Sequence, residues 1–186
     1  MTAATPLSLC VLTVSDTRTA ANDSSGDYLV EALAAEGHRL HERAILPDDR
    51  YRQRALVSKW IADAAVDGIL VTGGTGFTGR DSTPEALLPL LDKVMPGFGE
   101  IFRAISFEEI GTSSLQSRAF AGLANGTFLF CVPGSTPACR TAWERLIRAQ
   151  LDAATKPCNL ASLRPRLLES PHTDVRVVDQ GRSQKE

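Results

Sequence analysis

At 186 residues, with 43% hydrophobic and 23% charged residues, the chain is sized and composed for one globular domain. A domain of this length buries about 70% of its unfolded surface and needs no disulfide or metal staple to fold. A net charge of −2 argues against a broad basic surface, though not against a local basic pocket, so neither nucleic acid nor an anionic membrane is an expected partner.

Met1 to Pro6 lacks the basic start and long apolar stretch of a signal peptide, and no later run approaches the roughly 20 apolar residues that span a bilayer, so a cytoplasmic chain is expected. Leu7 to Val14 is a short apolar, β-branched run, the pattern of a strand buried on both faces. It stops at Ser15-Asp16-Thr17. Ser24-Ser25-Gly26 then opens a helix with Leu29, Val30, Leu33 and Ala34 on one face, and Gly37 ends it. Arg39 to Leu46 reads as a second strand, closed by Pro47-Asp48-Asp49. The next helix carries Leu56, Val57, Trp60 and Ile61 on its apolar side. Gly68 to Thr72 is a third buried strand and runs directly into Gly73-Gly74-Thr75-Gly76. A polar turn through Asp81 leads to a helix with Pro84 and Glu85 in its first turn. Gly99 to Gly122 reads as helical, interrupted at Gly111. Thr127 to Val132 is a fourth strand, ending at Pro133-Gly134-Ser135, and a last helix spans about Pro137 to Ala154. The domain is expected over residues 7–160, with 161–186 a flexible tail in which periodicity fades.

Strands separated by helices, with no tight hairpin turn evident, predict an α/β fold. Its form is three αβα layers around a mostly parallel sheet. Ligands in such sheets sit beyond the carboxyl ends of the strands. Four strand ends here carry polar or glycine-rich loops: Ser15-Asp16, Asp48, Gly73 through Asp81, and Pro133 through Ser135. They are expected to converge on one edge.

The glycines of Gly73 to Gly76 let backbone N–H groups approach an anion, and Thr75 adds a hydroxyl; equally, the segment could be a tight strand-to-helix turn. It is neither GxGxxG nor a Walker A loop. Asp81 before Thr83-Pro84, and Asp48 after Pro47, fit helix entries. They also fit a divalent ion, since Mg²⁺ takes one or two carboxylates plus substrate phosphates. Ser117-Arg118 and Ser135 could add an arginine and hydroxyls to the same phosphates, although such an arginine is also an ordinary surface residue. Trp60 and Trp143 are expected in the core or a subunit contact. Cys10, Cys131, Cys139 and Cys158 show no paired or metal-ligand spacing, and three of them read as small core hydrophobes. His38, His41 and His172 lack partners at helical spacing, so no zinc site is expected. A dinucleotide-dependent oxidoreductase is disfavoured because the first strand-to-helix turn, Ser15-Asp16-Thr17, has no glycines.

Taken in order, Thr13-Val14-Ser15-Asp16-Thr17, Ser25-Gly26, Leu70 through Gly76, Arg80-Asp81-Ser82-Thr83-Pro84-Glu85, Pro96 through Glu100, Ser117-Arg118 and Pro133-Gly134-Ser135 resemble the MoaB/MogA family of molybdenum cofactor biosynthesis proteins. Ser106 through Ser113, Gly134 through Trp143 and Lys156-Pro157-Cys158-Asn159 look closer to MoaB. The resemblance covers residues 7–160. It implies molybdopterin as ligand, other proteins of the same pathway as partners, and a homotrimer or hexamer. It also implies adenylylation of molybdopterin by Mg-ATP, or, as the alternative, binding without turnover. Carried over by motif, Asp48 and Asp81 would hold Mg²⁺ and orient ATP. Gly73, Gly74, Thr75, Gly76 and Ser135 would bind the pterin phosphate or nearby groups, with Ser15, Asp16, Pro84, Glu85, Ser117, Pro133 and Gly134 beside them. Arg80 and Arg118 would offset charge.

Overall fold

The computed structural model describes residues 6–169. Its strands are β1 (Ser8–Val14), β2 (Arg39–Leu46), β3 (Gly68–Thr72), β4 (Lys93–Val94), β5 (Phe120–Ala124) and β6 (Thr127–Val132). Its helices are α1 (Ser24–Ala35), α2 (Arg50–Ala62), α3 (Thr83–Leu87), α4 (Pro96–Ile110), α5 (Thr136–Ala142) and α6 (Arg148–Leu151), the last two joined by a π-helical stretch over Trp143–Ile147.

The six strands form one sheet in the order β2-β1-β3-β6-β5-β4. β2, β1, β3 and β6 are mutually parallel neighbours, whereas β5 runs antiparallel to β6 and β4 antiparallel to β5. Side chains alternate faces along a strand, and the two cores follow that alternation. Leu9 and Val11 of β1 point into a core with Leu29 and Leu33 of α1, Phe98 and Phe102 of α4, and Trp143. Cys10, Leu12 and Val14 point the other way, onto Val57 and Trp60 of α2 and Ala86 and Leu87 of α3. Helices thus cover both faces, and both tryptophans are core residues, 1% and 2% exposed.

Two expectations need correction. The absence of a tight hairpin is overturned by Asn125-Gly126, whose φ values of 47° and 80° are the left-handed pair that a two-residue type I′ turn requires. The helical reading of Gly99 to Gly122 is overturned at both ends. α4 starts earlier, with Pro96 in its first turn, and ends at Ile110; a 3-10 turn spans Gly111–Gln116, and Phe120–Ala124 is a strand. Phe-Ala-Gly-Leu-Ala has little β-branched character. Pairing with β6, not propensity, makes it extended. The expected flexible tail falls mostly on residues 170–186, outside the described residues, as does His172. Residues Ala161–Arg166 form a 3-10 helix from which Arg164 pairs with Asp67.

Among the described residues no helix is long and apolar enough to cross a membrane. Cys10, Cys131 and Cys139 are buried and Cys158 is exposed. Burial pushes the Cys10 thiol up to about 12, the Cys139 thiol up to about 11, and Cys131 well above its ordinary value. Thiolate is the reactive species. Thiol titration at pH 8 is therefore expected to find one reactive cysteine in the native protein and four in denaturant. More than one fast-reacting thiol in the native protein would contradict this packing.

Candidate ligand-binding site

Because β2, β1, β3 and β6 are parallel and adjacent, their carboxyl ends lie side by side, and the four loops expected to converge do so. The centre is the turn after β3. Gly73 has φ 105°, and a Cβ there would sit 2.1 Å from the Val14 carbonyl oxygen. Gly74 has φ 63°, and its Cβ would sit 2.3 Å from Thr83 Oγ1 and 2.5 Å from Asp48 Oδ2. Only glycine permits this approach. The turn is tied down by its own backbone: the Gly73 N–H donates to Val132 O (3.0 Å), and Thr83 donates through its hydroxyl to Gly73 O and through its N–H to Gly74 O (both 2.9 Å). Among the described residues the N–H groups of Gly74 and Thr75 have no protein acceptor.

A cavity of about 410 Å³ opens over this turn, lined by Ser15, Gly73 through Gly76, Asp81, Ser117 and Pro133 through Ser135. Asp16, Asp48, Arg80, Pro84, Glu85 and Arg118 do not line it. They stand behind the wall and hold it. Asp48 Oδ1 accepts from Ser82 Oγ (2.6 Å), Gln53 Nε2 (2.9 Å) and Ser82 N (3.2 Å), while its Oδ2 lies against Gly74. Asp81 accepts from Thr78 N at 2.8 Å, beside Gly76. Burial pushes the Asp81 carboxyl up, but the hydroxyl and N–H of Thr78, the N–H of Gly76 and the Arg118 charge together hold it below its ordinary value. It is therefore ionised at neutral pH. Two carboxylates thus pack against one short turn, Asp81 against Gly76 in the cavity lining and Asp48 against Gly74 behind it.

The two expected arginines are occupied elsewhere. Arg80 donates to both carboxylate oxygens of Asp16, at 2.9 and 2.8 Å, and that pairing holds Asp16 below the usual carboxylate range. Arg118 clamps the glycine loop: it donates to Gly76 O (2.7 Å) and Asp81 O (3.0 Å), pairs with Glu85, and lies over the Phe77 ring. The cation that does line the cavity is Arg18, on the loop after β1. Nothing in the local pattern around Arg18 marks it.

Asp23 was also missed, though it precedes Ser24-Ser25-Gly26 as a helix N-cap should. It is fully buried, caps α1 through the Gly26 N–H (3.0 Å), and accepts from Thr13 Oγ1 (2.8 Å) and Arg43 (2.7 Å). Burial pushes its carboxyl up, but Arg43, Gly26 and Thr13 outweigh that and hold it below its ordinary value. Most of the remaining missed wall comes from α4 and the turn after it, including Phe102, Ser106, Glu109, Ile110, Ser114 and Gln116, with Thr13 and Val14 of β1 and Pro137 and Ala138 of α5 completing it.

The family model described as a probable molybdopterin binding domain matches residues 10–153 of the chain. The chain belongs to the MoaB/MogA family. Molybdenum cofactor biosynthesis protein B of Escherichia coli strain K12 is 56% identical over 154 residues, which is 83% of this chain and 91% of that one. A crystal structure of a molybdenum cofactor biosynthesis protein B superposes with a TM-score of 0.78 at 41% identity, covering 80% of this chain and 93% of that one. The tungsten cofactor synthesizing protein MoaB of Pyrococcus furiosus gives 0.68 at 35% identity, covering 77% and 91%. These likenesses place the chain on the MoaB side of the family. The matched region ends two residues past α6. It therefore contains the sheet from Cys10 of β1 onward, the glycine turn and every residue lining the cavity.

Proposed function

We propose that this cytoplasmic MoaB-type protein binds molybdopterin in the cavity over Gly73 to Gly76 and adenylylates it with Mg-ATP. The observation that carries the reading is the placement of Asp48 and Asp81 against Gly74 and Gly76 of a single anion-binding turn. The free N–H groups of Gly74 and Thr75, the Ser135 hydroxyl and Arg18 would hold phosphate oxygens. Ser15, Ser117, Pro133 and Gly134 would shape the pocket around them. Two carboxylates and a substrate phosphate are the donor set that suits Mg²⁺, and the ion would supply charge neutralisation for the triphosphate.

In the reaction a terminal phosphate oxygen of molybdopterin attacks the α-phosphorus of ATP. The bond to the α,β-bridging oxygen breaks and pyrophosphate leaves, so the adenylyl group is transferred without an oxidant or a protein nucleophile. What the chain contributes is positioning and charge complementarity. Asp16 with Arg80, and Glu85 with Arg118, act one layer out by stiffening the loops that carry these groups.

Binding without turnover is the second reading, favoured by one observation: Asp48 Oδ1 already accepts three hydrogen bonds from Ser82 and Gln53. Incubation of the full chain with molybdopterin and Mg-ATP, followed by assay of pyrophosphate and adenylylated product, separates the two. The enzyme reading expects product, and Asp81→Ala is expected to lower its rate by about 10²-fold or more, the scale for losing one charge-positioning group. Binding with no product, and affinity intact in Asp81→Ala, would leave a binding module.

Self-association into a homotrimer or hexamer, and contact with other proteins of the pathway, belong to the same proposal. Phe107, Ile110 and Leu115, at the end of α4 and on the turn after it, are 55–72% exposed, and large apolar side chains left exposed close together in the chain are candidates for a contact surface. Light scattering of the purified chain tests it.

A further inference from the structure

Glu109 is a carboxylate in the cavity wall that has no part in the magnesium proposal and no role carried over by motif. It lies in the last turn of α4, lines the cavity, and makes no ion pair among the described residues. It is held from behind by Thr141, 7% exposed on α5, whose Oγ1 lies 3.0 Å from Oε1 and 2.9 Å from Oε2. One hydroxyl carries one proton, so Thr141 satisfies one lone pair at a time, whereas a carboxylate offers about four. Thr141 therefore orients the carboxylate across the gap between α4 and α5 and leaves most of its acceptor capacity open. The neighbouring lining residues Phe102 and Ile110 are apolar, and Ser106 and Ser114 are small. Such a wall suits a flat ring.

We infer that Glu109 is the receptor for the ring edge of the ligand, accepting two parallel hydrogen bonds from the 2-amino and N3–H groups of a 2-amino-4-oxopyrimidine ring. That edge presents two adjacent donors, the pattern that a carboxylate matches in bidentate fashion. Adenine puts its N1 acceptor next to its amino group, so a carboxylate would face a lone pair there. Glu109 thus separates a pterin from the adenine of ATP: the wall from α4 that carries Glu109 takes the ring, and the glycine turn with Arg18 takes the phosphate. The inference rests on the molybdopterin reading and goes beyond it by assigning the ring-binding residue.

The test compares pterin with lumazine, which replaces the 2-amino group by an oxo group and is otherwise the same bicycle. Binding of each to the full chain is followed by ligand fluorescence, alongside a molybdopterin titration. A site built on paired donors rejects the analogue that lacks one, so wild-type protein is expected to favour pterin at least ~10-fold. Glu109→Gln keeps the shape but offers an amide N–H toward the ring, and is expected to collapse that preference to below about 2-fold. Thr141→Val is expected to reduce it partially. A thermal melt of each variant reports folding, and the wild-type ratio stands without any variant. If molybdopterin binds but wild type does not discriminate, or Glu109→Gln keeps the preference, the ring assignment is overturned while the molybdopterin reading survives. Absence of binding by both pterin and lumazine also overturns it. If a Glu109-dependent preference for pterin is found with no molybdopterin binding, the ring receptor stands and the molybdopterin reading fails.

Discussion

Gly73→Ala is expected to destabilise the fold by about 2–6 kcal/mol and to weaken molybdopterin binding at least tenfold. The energy combines a strained φ, about 1–3 kcal/mol, with overpacking of similar size. The added methyl would lie 2.1 Å from the carbonyl oxygen of Val14, at a φ of 105°. Val14 ends β1, the strand next to β3 in the sheet interior, so the clash is with backbone and no rotamer change relieves it. Moving Gly73 away would break its N–H bond to Val132 O and displace the turn that carries the two free N–H groups. In a domain of this size ~1 kcal/mol corresponds to about 2–4 °C, so a fall of the order of 10 °C in Tm is expected by calorimetry. Gly79→Ala is the matched control: its Cβ meets nothing within 4 Å, and a change within about 0.5 kcal/mol is expected. Equal melting and binding for Gly73→Ala and wild type would refute the geometry of the turn.

The second large effect is expected at Asp23. Asp23→Ala removes the partner of the half-buried Arg43, the α1 cap and the acceptor of the Thr13 hydroxyl together. Leaving one member of a buried pair uncompensated costs about 3–5 kcal/mol, and the low end applies because Arg43 keeps Asp27, half exposed, at 2.7 Å. Its pH dependence has a definite sign. The folded-state pKa of Asp23 lies below the unfolded value, so its contribution is complete above the unfolded pKa of about 3.9. It is lost as pH falls from there through the folded value. Urea titrations of wild type and Asp23→Asn are therefore expected to differ by a constant amount from pH 7 down to about 4 and by progressively less as pH falls further. A gap that stays constant through that further fall, or widens, would mean that the ion pair with Arg43 does not stabilise the protein. Because Asp23 and Thr13 both line the cavity, Asp23→Asn is also expected to weaken ligand binding.

Local chemistry was enough to read the four parallel strands, the helices between them and the turn at their centre. Apolar β-branched runs such as Leu9 to Leu12 and Ile69 to Val71 bury on both faces whatever their neighbours do. Gly73-Gly74 after a strand end announces a backbone that side chains would block. Topology then follows, because parallel strands joined by helices put all their carboxyl ends on one edge. The hairpin was missed although it had a local signal: Asn125-Gly126 between apolar runs is a strong short-range turn cue.

Long-range contacts decided the rest. Phe120–Ala124 is too poor in β-branched residues to declare itself a strand; the edge of β6 recruits it. Which arginine faces a ligand has no local code, since a guanidinium on a long flexible stem goes to whichever carboxylate the fold brings near. Arg80 found Asp16, 64 residues away, and Arg118 found Glu85, 33 residues away, leaving the cavity to Arg18. Glu109 and Thr141, 32 residues apart, meet only because α4 and α5 pack on the same face of the sheet. Strand, turn and cap depend on neighbours within a few residues and are written locally; ion pairs and pocket walls depend on which elements become adjacent, and that is settled by the packing of the whole core.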